Sequence, residues 1–295
     1  VVLCGPSEMN GSCCYTVRID ACGCDGRPLV FAGTAHTAAP TPRRDWLAEL
    51  QLGALELSPA ARAAAIARWT AAALDEHASI AAFARSAAQL LALGAPAELL
   101  ADTAAAMADE VEHARRSFAV VAHLGDDAVG PGPIPAALTA DLACSLESVV
   151  RETFAGGCVG ETIAAAIAGC AAARCIDPAL QAVLREIAED ELRHAALAWR
   201  TLRWALAQPG SEHLRDTLAA SIAPPPVLDG DEELDLSPVG RLSRREEATI
   251  AAAVWREVVA PCLDALKNMS CTTCPDAHAR DDSLESSRGP RAALI

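Results

Sequence analysis

Glu76 is followed along the chain by Glu110-Val111-Glu112-His113, and Glu161 by Glu191-Leu192-Arg193-His194. Each copy offers a lone carboxylate, then a carboxylate and an imidazole at i, i+3, which share one face of a helix. Four carboxylates and two imidazoles so spaced are a donor set for two metal ions inside a four-helix bundle. Oxygen and nitrogen donors of this kind take iron, and equally manganese or a mixed iron–manganese pair.

Four helices must bring these side chains together. Around Glu76 an apolar stripe runs Ile66, Trp69, Ala73, Glu76, Ile80, Phe83; around Glu110 it runs Leu99, Thr103, Ala106, Glu110, His113, Ser117, Val120. The third stripe is Val150, Phe154, Cys158, Glu161, Ala165, Ala168, and the fourth Leu180, Leu184, Ile187, Glu191, His194, Ala198, Leu202. Steps of three and four are the helical period, so the acids and imidazoles fall on faces that turn to the core. An ionised carboxylate there is costly unless it is paired or binds a metal. Interhelical Glu–His pairs, or a phase shifted by one position, are the alternatives, and the doubled pattern favours metal. Ser58-Pro59 and Asp177-Pro178 open the first and fourth helices, and Gly94 and Gly125 close the first and second. Residues 125–138, rich in Gly and Pro, form a long crossover between the two helix pairs.

Residues 59–208 resemble the ferritin-like superfamily of dimetal carboxylate proteins. The resemblance rests on Asp109-Glu110-Val111-Glu112-His113 and Asp190-Glu191-Leu192-Arg193-His194. The second is similar to the Asp/Glu-Glu-x-Arg-His form of oxygen-activating members; the first departs from it, with Glu112 where Arg is common. Glu76-His77-Ala78-Ser79-Ile80 and Gly157-Cys158-Val159-Gly160-Glu161-Thr162 are similar to segments of uncharacterised bacterial ferritin-like proteins. The likeness implies that Glu110 and Glu191 bridge two ions, that Glu76 and Glu161 are terminal, and that His113 and His194 take one ion each. It also implies hydrogen bonds from His194 to Asp109 and from His113 to Asp190, which would fix tautomer and ring orientation. A fold and a site of this kind supply no substrate.

The chain is expected to be mainly α, a ferritin-like four-helix bundle with a long crossover, a small Cys-rich N-terminal β element and a C-terminal helix. Its 295 residues exceed what the bundle uses. The reading gives a Cys-rich β-hairpin extension over 1–45, the bundle over 59–208, a helical extension over 209–275 with a Cys-x-x-Cys, and a disordered tail over 276–295. Within 1–45, Cys14 to Ile19 and Pro28 to Ala32 are strand-like, with Gly23 to Gly26 as their turn. A short helix is expected near 211–222 and a last one at about 243–267, bent at Pro261. The acidic run Asp229 to Asp235 lacks calcium-loop spacing and reads as a solvated linker.

A net charge of −15 argues against nucleic acid or anionic membrane as partner. The longest unbroken apolar run, around Ile163 to Ala173, falls short of the roughly 18 residues of a membrane span. Twelve cysteines are many for a reducing compartment. Cys4, Cys13, Cys14, Cys22 and Cys24, with Cys262, Cys271 and Cys274, read as disulfide staples of an extracytoplasmic protein. The rivals are a zinc or iron site at Cys22-Gly23-Cys24 and Cys271-Thr272-Thr273-Cys274, and a cytoplasmic location. The opening Val1, with no Met, reads as a processed or trimmed N-terminus, compatible with removal of a signal segment before this numbering starts.

Three functions compete. One is a diiron oxidoreductase, an oxygenase, oxidase or peroxide-reducing protein acting on O2 or H2O2 with a small-molecule partner; manganese catalase-like chemistry uses the same donors. Another is a ferroxidase or iron-handling protein whose substrate is iron, although the extensions weigh against a plain cage. The third is a metal-binding structural or interaction protein without turnover. Ala164, Ala165 and Ala168, with Ile80 and Phe83, leave either room for a substrate or a close helix contact. Cys158, one turn before Glu161, is either a redox neighbour or a buried structural thiol, and Trp69 either an electron relay or core. The single tyrosine, Tyr15, lies outside the bundle and weighs against a tyrosyl-radical generator.

Overall fold

The computed structural model describes residues 2–9, 12–17, 26–31, 33–125, 127–135, 144–211, 213–215, 218 and 234–268. They are mainly α-helical. Helix α1 (Pro59–Ala92) begins where the Ser58 side chain accepts from the Ala61 N–H and Pro59 takes the first helical position, as the Ser-Pro pair predicts. It ends ahead of Gly94, whose φ of 72° turns the chain into the left-handed region. Helix α2 (Ala97–Leu124) then runs back along α1. Helix α3 (Leu146–Arg174) opens at a Ser145–Ser148 capping box. Helix α4 (Pro178–Ala205) opens at Asp177, whose carboxylate accepts from the Leu180 N–H and also from the Gly53 N–H. α3 packs on α4 and α4 on α2, so the two pairs share one interior. Every residue of the four sequence stripes is buried except Ile66 and Ile80, which are half-buried.

α3 departs from α-helical regularity over Thr153–Glu161, which is π-helical. Such widened turns are rare and concentrate at functional sites. Beyond α4, a short 3-10 turn at Ser237–Val239 precedes α5 (Arg244–Val254), a π-helical stretch Trp255–Val259, and α6 (Ala260–Asn268). The irregularity stands just ahead of Pro261, which has no N–H for the carbonyl one turn back. α5 is fastened to α3 by the Arg174–Glu246 ion pair and to α1 by Arg68–Glu247 at 2.6 Å. The largest apolar cluster, around Trp69, Val120, Ile163, Leu180 and Val239, lies under this C-terminal segment.

One expectation is corrected. The strand-like runs of the N-terminal region do not pair with each other. β1 (Val2–Met9) pairs antiparallel with β2 (Ser12–Val17), and β3 (Val30–Phe31) with β4 (Thr34–Ala35). Two-residue connections decide this: Asn10-Gly11 is the strongest short hairpin signal, and Gly33 supplies a φ of 78°. β5 (Pro40–Pro42) pairs with β6 (Val129–Pro131), which fastens the N-terminal region to the segment after α2.

Among the described residues, α3 at 29 residues is long and apolar enough to cross a membrane by length and composition, although no unbroken apolar run reaches that length. With 61% of its most apolar window buried against the rest of the chain, it has the composition of a core helix. The turn before Gly26, most of the 211–222 segment, Asp229 to Glu233 and the 276–295 tail lie outside the described residues. So do Cys22, Cys24, Cys271 and Cys274. Cys4, Cys13 and Cys14 are placed only as strand positions. Cys262 is a free, exposed thiol on α6.

Candidate metal centre

The six donors predicted from spacing converge in the interior. Glu76 on α1, Glu110 and His113 on α2, and Glu191 on α4 form one buried group; Glu110, Glu161 on α3, Glu191 and His194 form a second. Within each group the ligand atoms lie within 4.8 Å of one another, close enough to bind a metal ion. Glu110 and Glu191 belong to both. His113 Nδ1 lies 3.5 Å from Glu191 Oε1 and 3.9 Å from Glu76 Oε2; His194 Nδ1 lies 3.1 Å from Glu110 Oε1. Despite this crowding, Glu76 Oε2, both carboxylate oxygens of Glu110, Glu161 and Glu191, and the Nδ1 atoms of His113 and His194 have no well-aligned hydrogen bond. Buried polar atoms are seldom left so in a folded chain. These donors point at a common space rather than at partners, and the donor set fits two hard cations.

The outer nitrogens are held from behind. His113 Nε2 lies 3.0 Å from Asp190 Oδ2, and His194 Nε2 lies 3.2 Å from Asp109 Oδ2. In each case the carboxylate accepts a hydrogen bond from Nε2–H, which turns Nδ1 toward the interior, where it can offer a lone pair once a cation displaces its proton. Arg193, in turn, pairs with both Asp190 (2.5 Å) and Asp109 (3.2 Å) and bridges the two supports. Removing the support loosens the ligand it orients. Asp190→Ala is expected to weaken metal affinity about 10–100-fold, with secondary structure intact. Titration with a metallochromic competitor checks it, and an unchanged affinity would show that the Asp190 contact orients nothing.

Burial sets the electrostatics. It drives the Glu76 carboxyl well above the usual carboxylate range, with Glu110 adding repulsion, and does the same to Glu161, with Glu191 adding repulsion. Burial opposes charge on Glu110 and Glu191 too, but His113 and His194 hold Glu110 below its ordinary value, and Glu161 together with both imidazoles holds Glu191 lower still. Against burial, Glu110 and Glu191 raise His194 to about 10. Protons on the outer glutamates and the imidazoles thus balance the shared carboxylates. Cations entering this space displace those protons, so metal affinity rises with pH.

The N-terminal segment supplies the part that spacing does not reveal. Gly26, at φ 72°, rests on the ligands: a Cβ there would stand 2.8 Å from Glu76 Oε2 and 3.4 Å from Glu110 Oε2. The Ser79 hydroxyl donates to the Arg27 carbonyl at 2.9 Å and holds the strap down. The Arg27 side chain turns inward, with Nε 3.6 Å from Glu161 Oε1, Nη1 donating to Ser86 Oγ at 3.2 Å, and its guanidinium 4.6 Å from the Phe83 ring centroid. Gly156 and Gly157, inside the π-helical stretch, make the space; a Cβ on Gly157 would collide with Arg27 Nη2 and Ala198. A pair of glycines in an Ala-rich helix is the sequence signal for such a close approach.

Of the other residues singled out in the sequence, Cys158 is fully buried, with its thiol pushed well up by burial against the pull of Arg27. That is the protonated, unreactive form. Trp69 is core, its Nε1 donating to the Val239 carbonyl at 3.0 Å. Ala164, Ala165 and Ala168 are buried in α3. A cavity of about 20 Å³ touches Glu76 and is lined by Trp69, Ala168, Leu184, Ile187 and Arg241, among others. No family model, curated protein or solved structure matches the chain.

Proposed function

We propose that α1–α4 form a ferritin-like four-helix bundle and that the chain is a dimetal carboxylate oxidoreductase, with iron as the favoured metal, acting on O2 or peroxide. Glu76, Glu110, His113 and Glu191 would hold one ion, and Glu110, Glu161, Glu191 and His194 the other. When bound, an iron pair supplies electrons to O2 or peroxide, and manganese in the same donors supplies peroxide disproportionation. The chain's own groups prepare the site. Asp190 and Asp109 hold the two imidazoles with Nδ1 forward, and glutamate carboxylates can shift between one-oxygen and two-oxygen binding as charge changes. The packed interior around Phe83 and Trp69 excludes bulk water. The observation that carries this reading is that two buried donor groups share Glu110 and Glu191 while their inward atoms make no well-aligned hydrogen bond.

Anaerobic loading with ferrous iron, followed by stopped-flow mixing with O2 and separately with H2O2, tests it. A coloured transient and faster reaction with one oxidant is expected, and that oxidant names the activity. Slow, featureless bleaching with both would count against turnover. Iron uptake well beyond two per chain would move the assignment to iron handling.

A further inference from the structure

Gly26 and Arg27 belong to none of the four helices, yet they touch the ligands of the proposed centre. The strap is buried rather than draped: Leu29 is fully covered and packs on Ala78 and Ala82, and the Val30 carbonyl accepts from Arg85 Nη1 at 2.8 Å. Arg27 keeps 9% side-chain exposure while Glu161, 3.6 Å from its Nε, keeps none, so the guanidinium covers Glu161 on this side. The cavity of about 20 Å³ that Glu76 lines, with neither Gly26 nor Arg27 in its walls, has room for one water-sized molecule. Its walls at Trp69, Ile167, Leu184 and Ile187 are apolar.

We infer that the Gly26–Arg27 strap determines what the centre accepts: it seals the Glu161 face against organic molecules, so ligands of two or three atoms reach the ions and aromatic or larger ones do not. This rests on the dimetal reading above. It makes Arg27 and Gly26 specificity-determining residues and assigns any bulky reductant to electron delivery from outside the core.

Cobalt(II) serves as the probe, because its visible band reports a new ligand without turnover. In the native chain loaded with cobalt, azide is expected to shift the band and benzoate to leave it unchanged. Arg27→Ala opens the Glu161 face and should make the band respond to benzoate as well. Leu29→Ala loosens the strap without touching any metal donor and should give the same gain. Benzoate binding to the native protein would overturn the seal while leaving the metal centre standing. Two folded, cobalt-loaded variants that both ignore benzoate would also overturn it. Failure of the native chain to take up cobalt would overturn the dimetal reading itself, and the seal with it.

Discussion

Glu191→Ala is expected to lose nearly all bound metal, while Glu161→Ala keeps about one ion per chain. The difference follows from sharing. Glu191 lies in both donor groups, with His113 Nδ1 at 3.5 Å from one oxygen and His194 Nδ1 at 3.8 Å from the other. Its removal strips each ion of a carboxylate and leaves the imidazoles without the anion that balances them. Glu161 lies in one group only, so its removal leaves Glu76, Glu110, His113 and Glu191 intact. Elemental analysis of gel-filtered protein after iron loading, against circular dichroism as a control for folding, separates the two. Equal losses in both variants would show that Glu191 is not shared and that the ligand grouping is wrong.

The six donors were legible because a helix converts spacing into direction. Glu-x-x-His at i, i+3 puts both groups on one face, and an apolar residue one turn away on either side, such as Ala106 for Glu110 or Ile187 for Glu191, marks that face as inward. The helix starts at Ser58-Pro59 and Asp177-Pro178 were legible for a similar reason, since each cap is a contact between residues three apart in the chain. Arg27 was not. Its meeting with Glu161 joins a loop to a helix far along the chain, and no periodicity spans that distance. The N-terminal strand partners were less legible, because the apolar runs alone favour a different pairing from the one the Asn10-Gly11 hairpin signal in the sequence favours.

Trp69→Ala is expected to destabilise the chain by about 3–5 kcal/mol. The indole is 1% exposed and sits in the largest apolar cluster. Its Nε1–H satisfies the Val239 carbonyl, and the Arg241 guanidinium stacks 5.3 Å from its ring centroid. Truncation therefore opens a large cavity, orphans a buried carbonyl and releases the turn that leads into α5. Trp69→Phe keeps most of the volume and loses the donor, so its cost should be near 1 kcal/mol beyond the smaller packing loss. Urea midpoints for the three proteins at constant metal content give the comparison. A loss below about 1 kcal/mol for the alanine variant would mean that the C-terminal segment contributes little to holding this cluster.

The π-helical stretch in α3 has a consequence for how this chain tolerates insertions and deletions. Ahead of it, Val149 and Val150 face the cluster containing Leu202, Leu214 and Val259; after it, Ile163, Ile167 and Ala171 face the cluster around Trp69. The widened turns reset the rotational phase between these halves, and Glu161 sits at the last of them. Losing one residue between Thr153 and Cys158 would let α3 relax to an ordinary α-helix, with better hydrogen bonding and no polar group newly buried. That deletion would leave the two halves in phase, because a widened turn absorbs one residue. Straightening the stretch with every residue kept would instead swing one half of the helix by about 100° against the other, so that Val150 and Glu161 no longer faced inward together. The position of Glu161 is therefore kept by an imperfection in its helix, and a more regular α3 of the same length would be a sound structural element in the wrong register for the site.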